Sequence, residues 1–374
     1  MPSEPVPRRS PTVAEVAALA GVGKATAART LGNYGSVSPA ARARVMAAAE
    51  KLRYRPNNLA RSMTTGRTQT IGVVVADIGN PFFGGVMRGI TDRCEEDGYA
   101  AIVLSTDETL EEEKAAVSVL MRQKVDGLIV ASAAVTAADA GHLQDATARG
   151  IPVVLMDRLI EGIDLPAVIV DNREAIRNAT RFLLREGHDR IAFAWGPVAE
   201  KPSTSVEDVL ALSERDIWSA TERLHGYLEA LDGAGIPFDP ALVTGCELTV
   251  EDTAIAVRDM LTLPEPPTAI LTTETNAMVG ALQAIRQSGL SYPRDVSLIG
   301  FDDNSWSSVM DPPLTMIAQP MTHLGETAAE QLMAIIAGTA EPAHTELMRT
   351  EFRERRSTAP PRTRGAPGQY ASRR

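Results

Sequence analysis

From Thr70 onward the chain repeats one pattern that leaves little freedom: a short apolar run, an amphipathic stretch long enough for a helix, then another apolar run. Residues 71–76 lead to 82–97, then to 99–105, 111–123 and 125–131. Apolar runs this short, separated by amphipathic segments, predict strands buried on both faces: a parallel sheet with helices on each side. The rhythm continues through residues 150–157, and a second series begins at Arg190 and includes 268–272 and 295–300. Two similar α/β lobes in succession are expected, and 374 residues, 44% of them hydrophobic, exceed what one core needs.

The segment before Thr70 is of another kind. Residues 1–67 hold eleven Lys and Arg against Glu4, Glu15 and Glu50, a net +8, so the chain total of −11 leaves −19 for residues 68–374. A small basic head on an acidic body is the electrostatic footprint of a nucleic-acid-binding module; a merely basic tail is the plainer reading. The pattern inside the head favours the module. Thr12-Val13-Ala14-Glu15 has the form of a capping box, with Val13, Val16, Ala17 and Ala20 at helical spacing behind it. Gly21-Val22-Gly23 interrupts, residues 24–31 resume the helix, and Gly32-Asn33 stops it. Ser38-Pro39 offers an N-cap and an N1 proline for a third helix, whose Val45, Met46, Ala49 and Leu52 are expected to close a small core. Two short helices joined this closely form a helix-turn-helix, and the second lies in the major groove. Lys24, Ala25, Thr26 and Arg29 are the side chains it would present there: Arg29 to guanine O6 and N7, Ala25 and Thr26 to thymine methyl groups, Lys24 to base or phosphate. Residues 57–63 follow as a helix too short to be stable alone, expected to fold on DNA.

The strings TVAEVAALAGV at 12–22, VSPAAR at 37–42 and YRPNNLARSM at 54–63, in this order and spacing, resemble the LacI/GalR family of bacterial transcription regulators over residues 11–357. The resemblance implies paired hinge helices in the minor groove, with Met63, where the family usually has leucine, wedged between base pairs to kink the duplex. The DNA-contacting set is then Thr12, Lys24, Ala25, Thr26, Arg29, Asn58, Arg61 and Met63. Gly23 departs from the family's usual serine at the start of the recognition helix. The resemblance also implies a two-lobed, periplasmic-binding-protein-like (type I) body with three crossings between lobes. The expected fold class is thus α/β, a three-helix DNA-binding domain plus hinge helix followed by that body with parallel sheets. The expected boundaries are a disordered 1–10, DNA-binding domain 11–56, hinge and linker 57–69, effector and dimerisation domain 70–357, and disordered tail 358–374. Lobe 1 is placed at about 70–171 and 302–318, lobe 2 at about 172–301 and 319–357.

In open parallel sheets ligands sit beyond the carboxyl ends of strands, and those ends here carry Asp77, Asp157, Asp171 and Asp302. Asp157 and Asp302 are well placed to bond ligand hydroxyls or ring nitrogens. By resemblance, Asn80-Pro81-Phe82-Phe83 lines an effector cleft, plain core being the alternative for Phe82 and Phe83, and Arg223 and Gln319 match family pocket positions. Glu274 stands where many relatives have asparagine, and Glu247 where purine- and lactose-type relatives place an aromatic. The effector set is Phe82, Phe83, Asp157, Arg223, Glu247, Glu274, Asp302 and Gln319, and its added acids favour a neutral, polyol-like or cationic ligand over a phosphorylated or acidic one. Residues 198–218 resemble an insertion, read as a surface loop with a cleft lid as the sharper option.

A solute-binding protein would share the lobes, but no secretory signal opens the sequence and the basic head has no place in one. An enzyme is disfavoured: there is no G-x-G-x-x-G after the first strand, no Walker loop, no H-E-x-x-H and no serine elbow. The five histidines are scattered without metal spacing, His188 reading as a helix-end structural residue, and Cys94 and Cys246 suit buried thiols in a reducing compartment. No cofactor, no metal and no membrane span are expected. The tail from Pro360 has no leucine heptads, which favours a homodimer over a tetramer. The expectation is a cytoplasmic homodimeric repressor binding near-palindromic operator DNA under control of a sugar-like effector, which could weaken or strengthen DNA binding.

Overall fold

The computed structural model describes residues 11–32, 35–54, 66–195, 205–245, 249–339 and 344–362. The chain divides into two compact units, one through Gln69 and one from Thr70.

In the first unit α1 (Val13–Ala20) opens with the capping box: Glu15 N donates to Thr12 Oγ1, and Thr12 N donates to the Glu15 carboxylate at 2.6 Å. Gly21 ends it at φ 63°, a left-handed conformation in which a side chain would be strained. Helix α2 (Lys24–Leu31) starts from Gly23 without a side-chain cap, and α3 (Pro39–Leu52) from Ser38, whose hydroxyl accepts from Ala41 N. Val16, Ala17, Ala20, Ala27, Val45, Ala48 and Ala49 form the core. Met46, expected in it, is 54% exposed, because the inward stripe of α3 runs through Val45, Ala48 and Ala49 and Met46 falls outside it.

The second unit contains two six-stranded sheets, each with helices on both faces. Lobe 1 is built from β1 (Thr70–Val75), α4 (Pro81–Glu96), β2 (Ala100–Ser105), α5 (Leu110–Arg122), β3 (Leu128–Val130), α6 (Gly141–Ala148), β4 (Val153–Met156) and β5 (Ala167–Val170). Lobe 2 follows with α7 (Asn172–Arg185), β6 (Ile191–Trp195), α8 (Val206–Ser213), α9 (Trp218–Gly233), β7 (Val243–Gly245), α10 (Val250–Leu261), β8 (Ala269–Thr272), α11 (Thr275–Gln287) and β9 (Ser297–Phe301). The remaining elements are β10 (Thr315–Ala318), α12 (Met321–Ala337), β11 (Thr345–Met348) and β12 (Glu351–Arg353). The strand orders are β11-β5-β4-β3-β1-β2 and β12-β10-β9-β8-β6-β7, parallel throughout except for β12.

These pairings correct the placement of the C-terminal segments. Residues 302–318 do not belong to lobe 1: β10 pairs in parallel with β9, Thr315 beside Ile299, and so extends the lobe 2 sheet. Conversely α12 and β11 belong to lobe 1, where Leu324, Ala328 and Leu332 of α12 join the core under α4 and β11 pairs with β5. The chain crosses between lobes near residues 171, 319 and 349, three times in all. Two further expectations fail. The segment 358–362 is not a loose tail: Ala359 O accepts from His188 Nε2 at 3.0 Å and from Ser297 Oγ at 2.9 Å, fastening it to the lobe 2 sheet. The described part of the 198–218 insertion is no simple surface loop, since 206–213 is helix α8 and Val209 is buried in the lobe 2 core. The expectations at 1–10, the hinge with Asn58, Arg61 and Met63, Cys246, Glu247 and the end of the tail fall on residues outside those described.

Candidate functional sites

On α2, Lys24 and Ala25 are exposed, while Thr26 and Arg29 are half-buried. The helix turns its inner face, Ala27 and Thr30, into the core. Arg29 Nε donates to Ala25 O at 3.2 Å, which lays the guanidinium back along the helix. The Thr12 side chain is engaged in its capping box.

In the second unit a cavity of about 540 Å³, its open mouth included, lies at the carboxyl ends of the strands. Lobe 1 contributes Asn80, Phe82, Phe83, Glu108, Asp157 and Arg158; lobe 2 contributes Ile217, Ser219, Ala220, Arg223, Thr273, Glu274 and Asp302; Gln319 stands at the second crossing. Seven of the eight effector residues chosen from sequence thus border one space.

Local structure explains the placement. Asn80 Oδ1 accepts from Phe82 N at 3.0 Å and starts α4. Phe82 and Phe83 then stack edge to face with centroids 4.9 Å apart, both at most 4% exposed. They are core and cavity wall at once. Asp157 after β4 and Asp302 after β9 occupy equivalent positions in the two lobes, and both adopt left-handed backbone, φ 70° and 69°. Outside glycine that conformation is uncommon and clusters at functional sites.

The electrostatics differ between the two walls. In lobe 1 the buried Arg158 pairs with Glu108 at 2.6 Å and Asp157 at 3.1 Å. Burial opposes the charge on Arg158, but the two carboxylates outweigh it and raise its pKa, while Arg158 holds the Glu108 carboxyl below its ordinary value. In lobe 2 Arg223 donates to Asn172 Oδ1 at 2.7 Å and to Thr273 O at 2.6 Å, with its guanidinium 4.0 Å from the centre of the Phe301 ring. Gln319 Nε2 donates to Asp302 Oδ1 at 2.6 Å. Burial pushes Asp302 up to about 6, against the pull of Arg223 and Gln319. Burial, reinforced by Asp302 and Glu108, pushes Glu274 up to about 8.

Such a cavity, with aromatic surface on one side and fixed donors and acceptors around it, suits a small polar ring. The sequence of the whole chain decides its kind. Residues 12–57 match the profile described as "Bacterial regulatory proteins, lacI family", and residues 68–356 match "Periplasmic binding proteins and sugar binding domain of LacI family". The chain belongs to the LacI family. It is therefore a sequence-specific, DNA-binding transcriptional regulator with an effector-binding body, from a family of regulators rather than enzymes.

The LacI-family relatives include the transcriptional repressor CytR of Escherichia coli K12, 32% identical over 93% of this chain and 96% of that protein. The regulator CelR of Thermobifida fusca is 32% identical over 90% and 95%. Among solved structures, the lac repressor dimer bound to operator and the anti-inducer ONPF superposes with a TM-score of 0.79 at 26% identity, over 94% of this chain and all of that one. A CelR–cellobiose complex gives 0.66 at 29% identity, over 93% and 99%.

Sequence reasoning missed Glu108, Arg158, Ile217, Ser219, Ala220 and Thr273. Arg158 and Thr273 each come directly after a residue at a strand's carboxyl end, a position that could have flagged them. Glu108 sits in a turn three residues past β2 that reads as solvent-facing, and Ile217 lies in the insertion.

Proposed function

We propose that the cavity is the effector site and that α2 reads operator DNA, the two joined in a homodimer that responds to a small polar ligand of the sugar or polyol kind. The observation that carries this reading is the convergence of Asp157, Asp302 and Arg223 from two lobes onto one space bordered by Phe82 and Phe83. Carboxylates accept from ring hydroxyls, guanidinium donates to them, and the aromatic pair covers the apolar face of a ring. Cellobiose in the CelR complex, ribose in a LacI-family regulator of Enterococcus faecium and the operator-bound dimer of the lac repressor support the same division of labour. The protein acts by binding, on chromosomal DNA in the cytoplasm, and Lys24, Ala25, Thr26 and Arg29 supply its base contacts, with Thr12, Asn58, Arg61 and Met63 at backbone and minor groove.

The coupling runs through Arg223. It bonds Asn172, the first residue of α7 just past the first crossing, and the preceding Asp171 accepts from Thr350 N at 2.8 Å in the third. A ligand that draws on Arg223 therefore bears on two of the three strands that set the lobe angle. The test is a thermal-shift screen of the full chain against sugars, polyols, nucleosides and amino acids, repeated on Arg223→Ala and Asp302→Asn. A ligand at a hundred times its Kd raises stability by about 2.7 kcal/mol, and both variants should lose most of that gain. Stabilisation that survives both changes would place the ligand elsewhere.

A further inference from the structure

Among the described residues bordering the cavity acidic groups outnumber basic ones, and the excess lies in one corner. Among the described residues four carboxyl groups, Glu108, Asp157, Glu274 and Asp302, face two guanidiniums, and no lysine or histidine of these residues borders the space. Arg158 is committed to Glu108 and Asp157. Arg223 is held by neutral acceptors, the Asn172 amide and the Thr273 carbonyl, and is the main base set against both Glu274 and Asp302, with Arg158 adding a smaller pull on Glu274. In that corner Glu274 Oε1 and Gln319 Oε1 are buried with no hydrogen-bond partner among the described residues, and Gln319 is only 8% exposed. Two buried acceptors without donors, beside two acids facing one main base, call for a ligand that brings both hydrogen-bond donors and positive charge. Hydroxyl groups supply donors without the charge. A primary ammonium supplies three donors, no acceptor and the missing charge in one group.

We propose that the cavity takes a polyhydroxylated amine, an amino sugar or aminocyclitol, with its ammonium group on Glu274 and Gln319 and its hydroxyls shared by Asp302 and Arg223. The inference rests on the effector-site reading above and narrows it. Glu274 is the specificity-determining residue: in the empty cavity burial and the neighbouring acids keep its carboxyl protonated, and bonding the ammonium releases that proton to solvent and makes the carboxylate half of an ion pair. Phosphorylated and carboxylated sugars meet the same surplus of acids and are excluded.

Isothermal titration of the full-length protein tests this with three pairs at near-neutral pH: glucosamine and glucose, galactosamine and galactose, mannosamine and mannose, each with its N-acetyl derivative. The expected result is one amino sugar binding at least about tenfold tighter than its neutral and N-acetylated partners, ~1.4 kcal/mol. In Glu274→Gln, which keeps the shape of the side chain, that ratio falls towards one. A neutral hexose that binds as tightly as its amine, a preference that survives Glu274→Gln, or no binding by any amine overturns the proposal. If a neutral hexose binds and loses its affinity in Arg223→Ala, the effector-site reading stands and only the amine is wrong; binding indifferent to Arg223→Ala removes both.

Discussion

Glu274 holds its proton to about pH 8 in the folded chain, against an ordinary value of 4.5, because burial and the neighbouring Asp302 and Glu108 disfavour its charge. A carboxyl raised in this way makes the folded state bind the extra proton between those values, so its contribution to stability is fully present near pH 4.5 and is lost as pH rises through 8. Asp302, raised to about 6, acts in the same sense at lower pH. Glu274→Gln removes the titration. Thermal melts should show the variant gaining on the wild type as pH rises from 5 to 9, with little difference at the acid end; parallel curves would mean that the carboxyl is not held protonated. In the head, Arg29→Ala is expected to relax specificity at one base pair per half-site by about 1–3 kcal/mol, read by titrating single-substituted operators. A uniform loss over all sequences would make Arg29 a phosphate contact. At this scale the sequence showed which residue types end strands and cap helices, and so it located Asp157, Asp302 and the Thr12 capping box. It did not show Glu108 paired with Arg158, since the two lie fifty residues apart and a carboxylate in a turn reads as solvated until the fold encloses it.

Helix pairs α4 with α12 and α7 with α9 cross closely because a glycine stands at each contact. A Cβ built on Gly89 would lie 1.9 Å from Thr322 O, and one on Gly226 would lie 2.2 Å from Arg173 O, both backbone atoms that cannot swing away. Gly89→Ala should therefore cost roughly 1–3 kcal/mol or more as the helices separate, measured by denaturant unfolding. Gly84, on the same helix with nothing within 4 Å of its added Cβ, should accept alanine without loss. Equal effects at the two positions would mean that helix propensity, not the close crossing, governs α4. Elements themselves were largely legible, because apolar runs bounded by turns fix their existence; their partners were not. Nothing in residues 315–318 says which sheet they join, since any buried parallel strand has the same apolar composition, and the choice is made by pairing with β9. The same holds for α12, whose apolar face fits either lobe until it meets α4.

The whole molecule divides its labour by charge, a net +8 in residues 1–67 to meet phosphate and −19 in the remainder to stay clear of it. On the wedge role assigned to Met63, Met63→Gly should leave ligand affinity unchanged and weaken specific operator binding strongly, while binding to unrelated duplex, which depends on the basic charges, changes little. Unchanged operator affinity in a gel-shift titration would contradict that role. Family membership and the two-domain plan were legible because they rest on ordered strings of residues in the head and a repeated pattern in the body. On the proposed coupling, the sign of the ligand's effect depends on which lobe angle fits the operator, a difference between two arrangements of one sequence. The regulator's function depends on the link between cavity and operator. The measurement that tests it most directly is titration of an operator, selected from random duplexes, with and without a saturating cavity ligand, on wild type and on Arg223→Ala. The account predicts that ligand shifts wild-type operator affinity by at least about fivefold, ~1 kcal/mol of coupling, and that Arg223→Ala binds the operator normally without responding. Operator affinity that stays constant as the cavity fills would contradict it.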